Sequence, residues 1–473
     1  MSSYGHYIGG KWIDSEEWIP VYNKYTGEVF ARVGKASRET VSRAVDAAPL
    51  AFGQKKTGAY ERCEILMRAA EIIRQRKEEL ALTIVREVGK VLKDARAEVD
   101  RSVQTLIASA EEAKRLDGSV VPIPMPGADN RLAFTIWVPV GVVGAITPFN
   151  FPLNLTLHKV GPAIAAGNAV VLKPARATPV VACKLADILA EAGLPDGILN
   201  VVNGSGSETG QYLLEDERIA MFTFTGSPEV GRHIKRVTGI RKVALELGNN
   251  SPNIVHRDVP DPDKAAELCV TRGFTNNGQA CISVQRIYVH KDIHERFVRK
   301  AVEIAGSLKV GNPEDPDTDV GPMISEKEAI RAESWILEAV RQGADVACGG
   351  KRKGAVLEPT VLTHVRPDMK VVCEEIFAPV VSIIPFDDID DAIRQANDSK
   401  YGLQAGLFTS DLNLAMRAAK ELHFGGVIIN DASTFRADVM PYGGVKDSGF
   451  GKEGPHYAVR EMTEERLVVL NLP

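Results

Sequence analysis

Two periodicities alternate along the chain. Between Glu61 and Arg115, apolar residues recur at three- and four-residue steps in a stretch rich in Ala, Glu, Arg and Leu and free of proline. That pattern predicts helix, interrupted near Gly89. Phe134 to Pro148 is apolar and β-branched, so it reads as strand ending at the Thr147-Pro148 break. A regular rhythm follows: strand over Asn168–Pro174, helix over Thr178–Ala192 closed by Gly193, and strand over Gly197–Val202. Beyond GSGSETG come a helix through Leu214, a strand at Ala220–Thr225, a helix at Pro228–Val237 and a strand at Val243–Leu247. Strands alternating with helices at this spacing predict βαβ units, a parallel sheet with helices on both faces.

The rhythm restarts after Ser251 with a strand in PNIVH, a helix from Pro262, a break around Gly278 and a strand in RIYVH. Helices over Ile293–Leu308 and Glu326–Gln342 flank the loop GNPEDPDTDVGPM. The shift near Gly248–Asn250 therefore marks a boundary between two α/β domains. The tail ERLVVLNLP is β-like, with little chain left to cover it. Such a tail either pairs with another subunit's sheet edge or forms an edge strand of its own subunit. At 473 residues the chain has room for about three domains, and it shows neither internal repeats nor low-complexity linkers.

Composition narrows the function classes. Hydrophobic residues are 44% and charged residues 25%, ordinary for a globular protein. Lys plus Arg is 57 against 62 Asp plus Glu, a formal net charge of −5, so no bulk positive field attracts nucleic acid or a membrane surface. Any anion must be met by a few local cations. The longest apolar stretch, Trp137–Ile146, is broken by Pro139, Gly141 and Gly144 and is too short to span a bilayer. The first residues lack a basic segment followed by an apolar one, so no signal peptide is expected. Six scattered cysteines without a CxxC pair fit a reduced, cytoplasmic chain with neither disulfides nor a metal site.

Several residues could carry chemistry. Gly204, Gly206 and Gly210 form G-x-G-x-x-x-G after a strand, one residue off the dinucleotide fingerprint. Phe224-Thr225-Gly226-Ser227 follows a strand and opens a helix with Pro228 in its first turn, a natural seat for a pyrophosphate or a plain helix cap. Lys173 ends a parallel-type strand, where open α/β sheets bind ligands; a solvated lysine is the bland alternative. Cys281 lies in the small-residue context NNGQACIS, Glu246 at a strand end in ALELGNN, and Asn150 in TPFNFP after another strand end. A thiol nucleophile, a carboxylate base and an amide donor make a sensible acyl-transfer set, although no spacing rule makes them converge.

The segments TPFNFP, KPA, FTGSPEVG, LELGNNSPNIV, NNGQACIS, EEIFAPV and PYGGVKDSGFGKEG occur in that order. Together they resemble the signature segments of the aldehyde dehydrogenase superfamily over essentially the whole chain. The resemblance implies an α/β fold in three parts. A Rossmann-like NAD(P)-binding domain would take 1–117 and 139–247, a catalytic domain 248–440, and an oligomerisation element 118–138 and 441–473. It also implies a homodimer or homotetramer, with a small-molecule aldehyde as the other partner. Position by position, Cys281 matches the nucleophile that forms a thiohemiacetal, and Asn150 with the Cys281 backbone N–H matches the oxyanion donors. Glu246 matches the base that releases the acid from the thioester. Thr147, Lys173, Gly226 and Ser227 match cofactor-binding positions. Glu375 matches the carboxylate on the nicotinamide ribose, and Phe377 the aromatic beside the nicotinamide.

One position departs from the commonest pattern. Where many NAD-preferring members carry glutamate, this chain has Arg176, which attracts rather than repels a 2′-phosphate. The cofactor is therefore expected to be NADP or NAD, with a lean toward NADP tolerance. For the substrate, Arg101, His158 and Arg436 are candidate cations at the tunnel mouth. ASTFRADVMPYGGVKDSGFG looks most like the subgroup that includes phosphonoacetaldehyde, sulfolactaldehyde and lactaldehyde dehydrogenases. Ala280, just before Cys281, argues against glyceraldehyde 3-phosphate, whose non-phosphorylating dehydrogenases typically carry arginine there. The expected reaction is oxidation of a small anionic or hydroxylated aldehyde to its acid. A CoA-acylating member, for which Glu246 would be superfluous, and a non-catalytic paralogue are the alternatives.

Overall fold

The computed structural model describes residues 1–54 and 57–473. Its larger sheet has eight strands. Five of them run parallel in the order Lys242–Glu246, Met221–Thr225, Val142–Ile146, Ala169–Lys173, Leu199–Val201. The chain leaves Val142–Ile146 toward Ala169–Lys173 on one side and returns on the other at Met221–Thr225. Val142–Ile146 is thus the switch point, and the carboxyl ends beside it are where an open α/β sheet receives a ligand. These strands are buried on both faces, which explains why Val142–Ile146 and Ala169–Lys173 read as near-continuous apolar runs rather than alternating ones. The hairpin His6–Ile8 and Lys11–Ile13 extends one edge. Gly449–Phe450 pairs antiparallel with Lys242–Glu246 at the other, so this late stretch is part of the first sheet.

A second sheet has seven strands. Six are parallel, built outward from Ser251–Val255 through Val284–His290, Val380–Phe386 and Thr360–Thr363 on one side. Gln404–Phe408 and Gly426–Ile429 lie on the other. The class expected from the sequence, mixed α/β with parallel sheets, is the class observed. A third, small sheet joins Val120–Val121, Arg131–Pro139 and Thr463–Asn471, the last two antiparallel over nine residue pairs. The C-terminal run therefore pairs within its own chain. Its outer edge has no strand partner among the described residues, and Leu467, Val469 and Leu470 along it are exposed.

Two expected elements resolve differently. The long helical stretch is three helices, Ala59–Gln75, Lys77–Val88 and Leu92–Glu112. Gly89, at φ 84°, makes the anticipated break, and a second one at Arg76 has no glycine or proline to announce it. The apolar run before Pro148 is two strands of two different sheets, Arg131–Pro139 and Val142–Ile146. Gly141, at φ 119°, turns the chain between them. Among the described residues no helix is long and apolar enough to cross a membrane, and no group of His, Cys, Asp and Glu is arranged to hold a metal ion.

Candidate active site

The carboxyl edge of the first sheet gathers the cofactor candidates. Lys173 ends its strand buried, with Nζ donating to the Pro174 carbonyl at 2.9 Å and no carboxylate beside it. Burial pushes its ammonium down to about 8. Thr147 lies one strand over, its N–H on the Lys173 carbonyl at 3.2 Å. Ser227 caps helix Pro228–Thr238, its hydroxyl accepting from the Val230 N–H at 3.4 Å, while the Gly226 N–H donates to the Glu246 carbonyl. Among the glycines of GSGSETG, Gly210 packs on the Lys173 stem: a Cβ there would sit 3.7 Å from it. Arg176 is placed differently. It is exposed, makes no hydrogen bond or ion pair among the described residues, and lines a surface groove with Ile19–Gly27 and Ile324–Glu326.

The nucleophile candidate sits after an unusual turn. Asn276, Asn277 and Gly278 all adopt left-handed backbone, at φ 50°, 57° and 71°. Asparagine tolerates that region better than most residues, and Gly278 is obligatory, since a Cβ would lie 2.0 Å from the Ala378 carbonyl oxygen. Asn276 Nδ2 donates to the carbonyls of Asn150 and Gln279, and Asn150 Nδ2 donates to the same Gln279 carbonyl at 3.0 Å. The two signature loops are thereby stitched together two residues before Cys281. Behind Asn150, Glu98 accepts the N–H groups of Leu153 and Asn154 and pairs with Lys90 in full burial. A carboxylate capping these free N–H groups fixes where the loop ends.

Cys281 shares a small cavity with Glu375, Phe377, Asn249 and Gln285. Its Sγ is 2.9 Å from the Tyr442 hydroxyl. Burial pushes the thiol up to about 11, opposed by that hydrogen bond and by the charge of Arg436. Glu375 Oε1 accepts from the Asn249 N–H at 2.8 Å, and burial raises its carboxyl to about 7. A Cβ on Gly248 would come 2.5 Å from Glu375 Oε2, so only glycine leaves that oxygen open. Phe377, at φ 50°, sets its ring edge-on to Phe149 at 5.9 Å.

Glu246 is buried with Oε2 unpartnered. Burial first, then the negative charge of Glu453, raises its carboxyl well above the usual range. Glu453 would rise by burial too, yet Lys159 and Arg436 hold it low: Lys159 Nζ reaches one oxygen and Arg436 Nη2 the other, both at 2.9 Å. Arg436 also stacks on the Tyr442 ring, 3.6 Å from its centroid.

Arg101, His158 and Arg436 do converge, but not as a bare cationic cluster. Arg101 forks onto both oxygens of Asp438, at 2.7 and 3.1 Å. His158 Nε2 lies 2.9 Å from Asp438 Oδ1 and 3.2 Å from Arg436 Nη2. Burial and the Arg436 charge shift the imidazole's ionisation downward, against the pull of Asp438. Asp438 and Glu453 pair with these groups, so the three candidates meet as members of an ion-pair network rather than as free cations.

The match to a model of the aldehyde dehydrogenase family extends over residues 12–468. The chain belongs to the aldehyde dehydrogenase family. Within this family it is 55% identical over 473 residues to the 3-sulfolactaldehyde dehydrogenase of Priestia megaterium, covering 100% of this chain and 99% of the relative. Among solved structures it resembles aldehyde dehydrogenase 21 from Physcomitrella patens, in complex with the reaction product succinate. That likeness has TM-score 0.96 and 40% identity, over 99% of this chain and 98% of the other. It also resembles a glyceraldehyde-3-phosphate dehydrogenase from Methanocaldococcus jannaschii complexed with NADP, with TM-score 0.93 and 41% identity, over 97% and 100% of the two chains.

Sequence reading passed over four side chains of this site: Lys159, Asp438, Tyr442 and Glu453. Three lie inside quoted signature segments, ASTFRADVM and PYGGVKDSGFGKEG. For Tyr442 and Glu453 the one sequence-level signal was a hydroxylated or ionisable side chain amid glycines, and Asp438 had no such setting. Lys159, beside His158 on helix Asn154–Ala166, had none, because that helix is buried at every position and carries no polar face.

Proposed function

We propose that this enzyme oxidises a small aldehyde with an anionic or hydroxylated tail to its carboxylic acid, through a thiohemiacetal and then a thioester on Cys281. The observation that carries the substrate class is the meeting of Arg101, His158 and Arg436 around Asp438, with Arg436 stacked on the tyrosine that touches Sγ. The relatives support it: one is named for a sulfonated aldehyde, one was solved with a dicarboxylate product, and one is named for a phosphorylated aldehyde. A 3-sulfolactaldehyde-like hydroxy sulfonate is the substrate the site suits best. Its anion would trade places with Asp438 on Arg101.

NAD or NADP fits the residues present. Lys173 is a buried cation without a counter-ion, Ser227 heads a helix at the sheet edge, and Gly248 leaves Glu375 Oε2 open for a ribose hydroxyl. A bound nicotinamide would supply the hydride acceptor for the oxidation. Cys281 Sγ forms the C–S bond while the carbonyl electron pair moves to oxygen, toward the second Asn150 N–H. Glu246, once deprotonated, takes a proton from the water that hydrolyses the thioester. A CoA-acylating enzyme would have no use for a buried carboxylate there. The open apolar edge at Thr463–Asn471 suits a second copy of the chain, and a reduced cytoplasmic setting suits a free catalytic thiol.

The substrate test compares 3-sulfolactaldehyde with propanal in Arg101→Gln. Arg101 is the cleaner probe, because Arg436 is tied to Tyr442 and Glu453. A charge-assisted pair is worth about 1.5–3 kcal/mol, so KM for the sulfonate should rise by roughly 10- to 100-fold with propanal little changed. Equal effects on both aldehydes would overturn the assignment. For the cofactor, Arg176→Glu should cut kcat/KM for NADP relative to NAD by about tenfold, since a carboxylate beside the 2′-phosphate repels it. An unchanged ratio would show that Arg176 has no part in the choice.

A further inference from the structure

Tyr442 is the one side chain within hydrogen-bond reach of Cys281 Sγ among the described residues. Resting on the reading of Cys281 as nucleophile, we propose that Tyr442 is a catalytic residue whose phenol O–H donates to the Cys281 thiolate, stabilising it and aiming it before the aldehyde binds.

The direction of that bond follows from the two acids. An unperturbed thiol ionises near 8.5 and a phenol near 10, and burial raises both in this cavity. Sulfur therefore loses its proton first, to solvent, and Tyr442 keeps its own throughout. A thiolate here needs such help. Its other neighbours include Ala280, Phe377 and Ala378, and the carboxylates Glu246 and Glu375 both disfavour a negative sulfur. No imidazole accompanies it, since His158 is engaged with Asp438 and Arg436.

The phenol is held as a preorganised donor must be. Its backbone exchanges two hydrogen bonds with Glu453, Tyr442 N–H to the Glu453 carbonyl at 3.1 Å and the Glu453 N–H to the Tyr442 carbonyl at 2.6 Å. Its ring lies under the Arg436 guanidinium, itself fixed by the Glu453 carboxylate. A cation on the ring face withdraws negative potential from the phenol and strengthens its O–H as a donor. Glu453 thus positions the donor from two directions without touching the sulfur. When Sγ attacks, its charge passes to the carbonyl oxygen, and the Tyr442 bond ends with no proton moved.

The test is the pH profile of Cys281 alkylation by iodoacetamide in the full-length enzyme and in Tyr442→Phe, with Cys281→Ser identifying the labelled site. Phenylalanine keeps the ring, the stacking and the volume, and thermal unfolding checks that the variant is folded. Hydrogen bonds to charged groups are the strong ones. The variant's profile should accordingly shift alkaline by about one pH unit, so that alkylation at a fixed pH on the rising limb is about tenfold slower. A profile superimposable on the parent's, or displaced toward acid, would overturn the role of Tyr442 and leave Cys281 as nucleophile untouched. Full dehydrogenase activity in Cys281→Ser would instead remove the reading on which the proposal rests.

Discussion

Cys281→Ala abolishes aldehyde oxidation, with kcat falling by at least roughly 10⁴-fold, the scale on which enzymes lose a covalent nucleophile. The loss is chemical rather than structural, because the fold around residue 281 is set by its neighbours. Gly278 sits against the Ala378 carbonyl, and Asn276 and Asn150 converge on Gln279, all independently of the thiol. The variant should bind NAD(P) as the parent does and unfold at a similar temperature. Mass spectrometry of enzyme quenched during turnover should show an acyl adduct in the parent and none in the variant. Ordinary steady-state oxidation by the alanine enzyme would dispose of the covalent route.

Glu246→Gln separates the two halves of the reaction. Reduced cofactor should appear in a burst of about one equivalent, followed by turnover slowed by about 10²–10³-fold, the usual contribution of a general base. The thioester should accumulate on Cys281. The pH dependence carries its own sign. Burial and the Glu453 charge raise the Glu246 carboxyl, so it becomes a base only at a pH above the usual carboxylate range. Turnover of the parent should rise with pH through that ionisation, and the limb should vanish in the glutamine variant. Absence of a burst, together with a pH profile like the parent's, would assign deacylation to another group.

The sequence revealed the site in proportion to how local its determinants were. Strand ends at Thr147, Lys173, Thr225 and Glu246 could be read from short apolar stretches closed by a polar residue, and the structure aligns all four on one edge. The left-handed turn before Cys281 is likewise local, written as Asn-Asn-Gly. The ion pairs are not. Arg101 meets Asp438 across 337 positions and Lys159 meets Glu453 across 294, and no spacing rule encodes such partners. That is why Arg101, His158 and Arg436 could be singled out in the sequence while their carboxylate partners, Asp438 and Glu453, could not. The amino-terminal strands are a different case. HYIGGKWI carries the two-glycine hairpin signal between alternating residues, and Gly9 and Gly10 adopt the positive φ it calls for.

Synthesis gives the pairing of Gly449–Phe450 with Lys242–Glu246 a further meaning. A growing chain emerges from the ribosome amino end first, so the parallel strands of the first sheet and the Cys281 loop exist well before the segment that finishes them. Ser448, whose hydroxyl donates to the Gly248 carbonyl at a separation of 200 residues, is made long after the Cys281 loop, with Tyr442 and Glu453 on either side in the sequence. Until then Glu246 has no Glu453 charge to raise it, and Cys281 Sγ has no Tyr442 hydroxyl beside it. A chain made only through the Cys281 loop thus lacks both neighbours, and the surroundings of Sγ are completed by a segment 161 positions further on.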